Sequence, residues 1–231
     1  MKIILKFIPY VMLIALTTSV YATSPQTHFL STLRPKVLIA LHDIEIERQQ
    51  FKRLQHQNQE HPLSPQQIQS LQYLAQRYHI QHWQPDQTQS WEALNTRVDT
   101  WPISLILAQA AIESGWGHSR FAQEGYNLFG LHCHTKGCGI VPKHRVPQQH
   151  YEVQRFSNQL SCIRTYLHTL NTHPAYQALR QLRATARDND QPPSSLDLAQ
   201  KLIQYSERGE QYVIDLTQLI QHHHLQDFDT I

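Results

Sequence analysis

The amino-acid sequence predicts an α+β fold that is mostly α-helical, with a helical lobe, a small β-hairpin lobe and an N-terminal helical extension. Two observations support this prediction. Apolar residues recur at intervals of three and four from about Leu30 to Tyr78, and again in most segments from Pro102 to His222, as amphipathic helices require. Residues from Leu128 to Tyr151 break this pattern, because they are poor in helix formers and rich in Gly, Pro, Val and His.

The first 22 residues have the features of a secretory signal peptide. Two lysines precede an uncharged apolar run from Ile8 to Val20, and small residues end the run at Ala22. The run is shorter than the roughly 20 apolar residues of a membrane span. We therefore expect residues 1–22 to be removed on export to the periplasm, with an uncleaved anchor as the alternative. No later apolar run is long enough to span a membrane.

Residues 23–90 are predicted to form the helical extension. The segment from Val37 to Leu54 combines helix formers with mixed charge, and Ser64-Pro65 begins a second helix. A polar, Gln-rich link from Gln81 to Ser90 follows. We expect the extension to pack against a second domain at residues 91–225.

The first helix predicted in the second domain begins at Pro102, for which Thr100 is a candidate cap. This helix continues from Ile103 to Ser114 and ends where Gly115 and Gly117 follow. Further helices are predicted at Ser157–Leu170, Ala175–Arg187, Leu196–Tyr205 and Tyr212–His222.

Composition disfavours several classes of partner. Removal of Lys2 and Lys6 with the signal peptide leaves 18 basic and 18 acidic side chains, so no basic field is available to attract nucleic acid. No phosphate-binding loop, nucleophile elbow or zinc-binding His-Glu-x-x-His motif occurs. We expect a monomer without a cofactor.

Cys133 and Cys138 are separated by a short, glycine-containing segment, which in an oxidising compartment predicts a disulfide loop. A metal site is the alternative, because His132 and His134 flank Cys133. A second metal candidate, the three histidines at 222–224, is weak because consecutive helical residues point in different directions.

Glu113 is the candidate catalytic residue. It is the only charged residue of the apolar helix that begins at Ile103, and it lies in the last turn of that helix. Apolar neighbours and the negative end of the helix dipole both disfavour a carboxylate, so they raise its pKa. A carboxyl that keeps its proton near neutral pH can act as a general acid. A solvent-facing glutamate at a frayed helix end is the alternative.

Several motifs together resemble the bacterial glucosaminidase family, glycoside hydrolase family 73. The segment Glu113-Ser114-Gly115-Trp116-Gly117-His118-Ser119 is followed by Tyr126-Asn127-Leu128-Phe129-Gly130. The Bax-type branch is most similar, through Gly137-Cys138-Gly139, the segment from Asn171 to Tyr176 and the segment from Tyr205 to Tyr212. The resemblance extends from about Trp91 to Ile220.

The resemblance implies a lysozyme-like fold and an endo-β-N-acetylglucosaminidase acting on the glycan strands of peptidoglycan. It implies that Glu113 gives its proton to the glycosidic oxygen and that Tyr205 lines the opposite side of the cleft. A hydroxyl bonded to backbone is the alternative for Tyr205. Two other functions stay open: a lytic transglycosylase, and a glycan-binding domain without activity.

Five further residues are candidates for substrate binding. They are Trp116, Tyr126, Asn127, Glu152 and Tyr212. The rings of Trp116 and Tyr126 could stack on sugars, although core packing suits either equally well. Asn127 is expected to cap backbone at the following turn.

A second carboxylate is harder to assign. Most glycosidases use two, but residues 131–151 contain no Asp or Glu, which leaves Glu124 and Glu152 at the edges of the β-lobe. If neither takes part, the 2-acetamido group of the substrate could act as the nucleophile.

Overall fold

The computed structural model describes residues 24–143, 145 and 149–229. Within this part the α-helices are α1 (Pro25–Glu60), α2 (Pro65–Arg77), α3 (Thr88–Arg97), α4 (Ile103–Ser114), α5 (Arg120–Gly125), α6 (Gln159–Thr172), α7 (Gln177–Asp188), α8 (Ser195–Ala199) and α9 (Glu210–His222). The strands are β1 (His132–Cys133), β2 (Gly139–Ile140) and β3 (Glu152–Gln154), and 3₁₀ helices cover Pro174–Tyr176 and Leu225–Phe228. The predicted mostly helical α+β fold is confirmed.

The predicted signal peptide, residues 1–22, lies outside the described residues. Among the residues that are described, no helix combines the length and the apolar character needed to cross a membrane.

Helix α1 takes part in two hydrophobic cores. Ser24 caps its first turn, because the Ser24 Oγ accepts a hydrogen bond from the Thr27 backbone nitrogen at 3.1 Å. Leu33 and Val37, in its first half, are buried in a main core with α4 and α6. Phe51, in its second half, belongs to a smaller core with residues of α2 and α3. The segment predicted as a helical extension therefore contributes directly to the main core.

Helix α4 lies at the centre of the main core. Ten of its twelve residues are buried. A helix that is apolar on all sides needs neighbours on all sides, and α4 packs against α1, α8, α9 and the 3₁₀ helix at Leu225–Phe228. This packing holds the carboxyl end of α4, where Glu113 lies, in a defined position.

The amino end of α4 differs from the prediction. Thr100 does not cap it; its hydroxyl accepts a hydrogen bond from Arg187 instead. The capping group is Asp229, which accepts hydrogen bonds from the Ser104 backbone nitrogen at 2.9 Å and from the Ser104 Oγ at 2.5 Å. A carboxylate at this position pairs with otherwise unsatisfied N–H groups and faces the positive end of the helix dipole. The cap is thus supplied from the far end of the chain.

The predicted β-hairpin lobe is a three-stranded antiparallel sheet in the order β1-β3-β2. His132 and Ile140 both pair with Val153 of β3, so β3 lies between the other two strands. A disulfide between Cys133 and Cys138 closes the loop from β1 to β2. Gly139 allows the close approach of β2 to β3, because a Cβ atom there would lie only 2.1 Å from the Val153 carbonyl oxygen.

The helix predicted from Leu196 to Tyr205 is too long. Helix α8 ends at Ala199, and backbone hydrogen bonds to the third preceding residue follow at Lys201, Leu202 and Tyr205. These tighter turns carry the Tyr205 side chain to the neighbourhood of Phe129, whose carbonyl accepts its hydroxyl. The regular helix thus ends early, and Tyr205 forms a hydrogen bond with a distant part of the chain.

Candidate active site

Glu113 lies in the last turn of α4, on a rigid helix end. Gly115 takes the left-handed conformation at φ 55°, and the Trp116 nitrogen donates to the Ala111 carbonyl at 2.8 Å. Ser114 reinforces the turn, because its hydroxyl donates to the Ala110 carbonyl and accepts from the Gly117 nitrogen at 2.7 Å. The backbone that carries the carboxyl is therefore fixed on both sides.

The Glu113 side chain is half-buried, and this burial raises its pKa above the usual range. Interaction with the Tyr212 hydroxyl and the positive charge of Arg208 both lower the pKa of Glu113, but burial outweighs them. A raised carboxyl pKa keeps the acid protonated to higher pH. The group thus has the property that a proton donor needs.

Four tyrosines from separate parts of the chain lie within electrostatic range of the Glu113 carboxyl. They are Tyr166 on α6, Tyr176 in a 3₁₀ helix, Tyr205 after α8 and Tyr212 on α9. Burial raises the pKa of each one, and the negative charge of Glu113 raises it further. All four hydroxyls are therefore neutral near pH 7 and can donate hydrogen bonds.

Tyr205 and Tyr212 form a stacked pair, with ring centroids 5.5 Å apart and ring planes 13° apart. The Tyr205 hydroxyl donates to the Phe129 carbonyl at 2.9 Å. This hydrogen bond is the one expected under the alternative prediction for Tyr205, in which its hydroxyl bonds to backbone. Its half-buried ring, rather than its hydroxyl hydrogen, is what remains for a ligand.

The turn after α5 approaches the Glu113 carboxyl from another direction. Gly130 has a φ of 66°, and a Cβ atom built there would lie 3.6 Å from the Glu113 Oε2. Asn127 shapes this turn: its Nδ2 donates to the Leu131 and Gln154 carbonyls at 2.8 Å each, and its Oδ1 accepts from the Phe129 and Leu131 nitrogens. The buried Asn127 amide is satisfied by backbone and positions the turn, as the sequence prediction of a cap implies.

The two candidate stacking residues lie in different environments. Trp116 packs with its ring edge-on to Phe29 at 5.8 Å and to His223 at 4.9 Å, so its contacts are with α1 and with the end of α9. Tyr126 is exposed at the end of α5. Stacking on a sugar therefore stays a prediction, and Tyr126 is the more accessible of the two rings.

Glu152 is tied to the disulfide loop. Its two carboxylate oxygens accept hydrogen bonds from the Gly137 nitrogen at 2.9 Å and the Gly139 nitrogen at 2.8 Å. These two bonds lower its pKa. Glu124, the other candidate for a second carboxylate, is exposed on α5. The contacts of Glu152 are those of a residue that holds the β-lobe together.

We expect Glu152→Gln to loosen the β-lobe but to leave most activity. Glutamine replaces one acceptor oxygen with an NH₂ group, which cannot accept from the glycine N–H that faces it. Because the pKa of Glu152 is lowered in the folded protein, its contribution is present above the ordinary glutamate value near pH 4.3 and disappears as the pH falls through the lowered pKa. The protection of the Gly137 and Gly139 amides, measured relative to an unfolded peptide at the same pH, should therefore fall in acid in the unaltered protein and be low throughout in the variant. Abolished turnover in a folded variant would instead make Glu152 a reacting carboxylate.

The metal alternatives gain no support from the geometry. The sulfurs of Cys133 and Cys138 bond to each other, and Cys162 is buried. Across residues 24–143, 145 and 149–229, no group of three or more His, Cys, Asp or Glu side chains is arranged to hold a metal ion. Three cavities, of about 440, 420 and 520 Å³, border α1. None of these three is lined by Glu113.

Sequence reasoning did not assign a role to three residues near Glu113. Gln109 precedes it by one helical turn, and this buried polar residue in an apolar helix was a usable signal. Tyr176 ends one of the family-like motifs. Tyr166 carries no local signal, because it has the spacing of an ordinary core residue on α6.

A half-buried carboxyl of raised pKa at the end of a central helix, beside a small sheet, is the arrangement of a lysozyme-like glycosidase. The structure is similar to the catalytic domain of the autolysin Auto from Listeria monocytogenes, with a TM-score of 0.52 and 16% identity, over 90% of each chain.

The particular family follows from sequence comparison. The family model for glucosaminidase, described as mannosyl-glycoprotein endo-beta-N-acetylglucosaminidase, matches residues 88–225, and the chain therefore belongs to the glucosaminidase family. Protein bax of Escherichia coli (strain K12) is 33% identical over 184 residues, which are 80% of this chain and 64% of the relative. The chain thus spans less than two thirds of the length of this curated relative.

Proposed function

We propose that this protein is an endo-β-N-acetylglucosaminidase that hydrolyses the β-1,4 bonds of peptidoglycan, with Glu113 as the general acid. The observation that carries the proposal is the half-buried Glu113 carboxyl, whose pKa burial raises, among four neutral tyrosines. Cell-wall glycan is supported as the substrate by the similarity to an autolysin and by family membership. The same substrate supports an extracytoplasmic location, and the signal peptide at residues 1–22 remains part of the proposal.

In the proposed reaction, Glu113 gives its proton to the glycosidic oxygen as the bond from that oxygen to the anomeric carbon breaks. Positive charge then develops on the sugar ring, and the carboxylate left on Glu113 can accept a proton from the incoming water. The leaving sugar gains a hydroxyl, and the anomeric carbon gains the water oxygen. One water molecule is consumed for each bond cut.

The anomeric carbon also needs a nucleophile or a stabilising group. Both oxygens of Glu152 are engaged by glycine N–H groups, and Glu124 is exposed. These contacts favour the 2-acetamido carbonyl of the substrate, which the glycosidase scheme admits as an internal nucleophile. Tyr205 would then support the sugar with its ring.

Product analysis tests the proposal against its rivals. We expect purified protein to release fragments with reducing N-acetylglucosamine ends from isolated sacculi, as seen by mass spectrometry. Glu113→Gln protein, prepared in the same way, controls for contaminating hydrolases. Anhydro-muramyl ends, lighter by one water, would indicate a lytic transglycosylase. Binding to sacculi without any release would indicate a glycan-binding domain.

A further inference from the structure

The side-chain amide of Gln109 joins two of the tyrosines that interact with Glu113. Gln109 is fully buried on α4, one turn before Glu113. Its Nε2 donates to the Tyr212 hydroxyl oxygen at 2.9 Å, and its Oε1 accepts a short hydrogen bond from the Tyr166 hydroxyl. Both ends of the amide are thus used inside the protein, next to the candidate acid.

The chemistry of the amide determines the direction of each bond in this chain. An amide nitrogen only donates and an amide oxygen only accepts. Tyr166 must therefore donate to Gln109, and Tyr212 must accept from Gln109 through its oxygen. The single hydroxyl hydrogen of Tyr212 is left for another acceptor. The Glu113 carboxyl, which follows Gln109 by one helical turn and interacts with Tyr212, can take that place.

We infer that Gln109 is a positioning residue that turns the hydroxyl hydrogen of Tyr212 towards the Glu113 carboxyl. The inference deepens the proposed function and rests on it, because it gives Gln109 a role only through the acid. With one carboxyl oxygen accepting from Tyr212, the other oxygen carries the transferable proton. Donation by Gln109 also polarises the Tyr212 O–H bond and strengthens its own donation to Glu113.

The other described groups that interact with Glu113, apart from Tyr166 and Tyr212, are not hydrogen bonded to Gln109. Arg208 is exposed and forms an ion pair with Asp215, and its charge lowers the pKa of Glu113 from outside the core. The Tyr205 hydroxyl is committed to the Phe129 carbonyl. The negative charge of Glu113 raises the pKa of Tyr176, which has no hydrogen bond to Gln109 among the described residues. A change at Gln109 therefore reaches Glu113 through Tyr212.

The pKa of the Glu113 carboxyl, measured by ¹³C NMR titration of glutamate-labelled protein, tests the inference without using turnover. The Glu113→Gln variant identifies the resonance. Tyr212→Phe removes the donor and keeps the stacked ring, so we expect the Glu113 pKa to rise by about one unit. The double variant Gln109→Met and Tyr166→Phe removes the amide without leaving an unpaired buried hydroxyl, and it should raise the pKa by about half a unit.

Tyr166→Phe alone is the matched control, because it keeps the Gln109 donation to Tyr212; its shift should be smaller than that of the double variant. A purely structural role for Gln109 predicts an unchanged Glu113 pKa in the double variant. The opposite amide orientation predicts a fall, since Tyr212 would then be released to donate to Glu113. Either result overturns the inference. If the double variant does not fold, an unchanged Glu113 pKa in Tyr212→Phe overturns the inference instead.

The pH profile of sacculus digestion separates this inference from the proposed function. A raised pKa keeps the acid protonated to higher pH, so the loss of activity on the alkaline side should move upwards in both Tyr212→Phe and the double variant. Shifts in the NMR titration together with no products from unaltered protein would contradict the proposed function alone. Normal products with no NMR shift would contradict the inference alone.

Discussion

Glu113→Gln is expected to lower the release of glycan fragments by about 1,000-fold while the protein stays folded and still binds sacculi. Glutamine has the size and shape of the protonated acid but has no proton to transfer. Burial disfavours the charged form of Glu113, so an uncharged side chain removes that penalty, and we expect no loss of stability. Reducing-end release measures turnover, circular dichroism reports the fold, and co-sedimentation with sacculi measures binding.

Glu124→Gln is the matched control for this experiment. Glu124 lies on the next helix, α5, and is exposed, so the same chemical change there should leave the rate within about twofold of the unaltered protein. Equal loss of activity in both variants would point to a general effect of removing charge. Full activity in Glu113→Gln would remove Glu113 from the mechanism, and the proposed function would lose its central observation.

Arg183→Met is expected to destabilise the protein by about 3–5 kcal/mol, the largest effect on folding that we predict. Arg183 and Asp99 are both almost completely buried, with 3.5 Å between the Arg183 Nε and the Asp99 Oδ2. The guanidinium also donates to the Asn171 Oδ1 and the Thr96 carbonyl, at 2.8 Å each, and lies 3.7 Å from the centre of the Trp101 ring. Methionine fills part of the volume but cannot donate to either acceptor. Of the three arginines that pair with Asp99, only Arg48 at 3.4 Å and Arg187 at 3.3 Å then remain.

Arg164→Met provides the comparison on the surface. Arg164 pairs with Asp43 at 2.7 Å, but both side chains are about half exposed, so water can replace the partner. We expect a change below about 1 kcal/mol. Urea denaturation of the two variants measures both values under the same conditions. A cost for Arg183→Met no larger than that for Arg164→Met would show that the buried cluster contributes little to the free energy of unfolding.

Local sequence determined the part of the site that depends on one helix. The apolar run from Ile103 sets α4, Gly115 ends it, and Glu113 falls in its last turn for that reason. The short spacing of Cys133 and Cys138 likewise predicted the loop that the disulfide closes. These features depend on residues that are close in the chain, where propensity, capping and loop length act directly. The motifs around them were also enough to predict the family.

Other predictions failed or were incomplete where distant segments compete with local preference. Thr100 is a suitable capping residue, yet Asp229 caps α4, because the carboxyl end of the chain folds back over the helix. The segment after Ala199 has helix formers, yet it turns early and places Tyr205 at the Phe129 carbonyl. Strand β3 separates β1 from β2, although the two are close enough in sequence to form a hairpin.

By itself, the sequence determined that a carboxyl would lie at the end of an apolar helix in a mostly helical protein of this family. Only the tertiary structure decided which groups interact with that carboxyl: tyrosines from four separate segments, an amide that directs one of them, and a turn that Asn127 holds in place. The physical reason is that a pKa and a hydrogen-bond direction depend on distances between side chains, and packing brings these residues together from positions far apart in the chain.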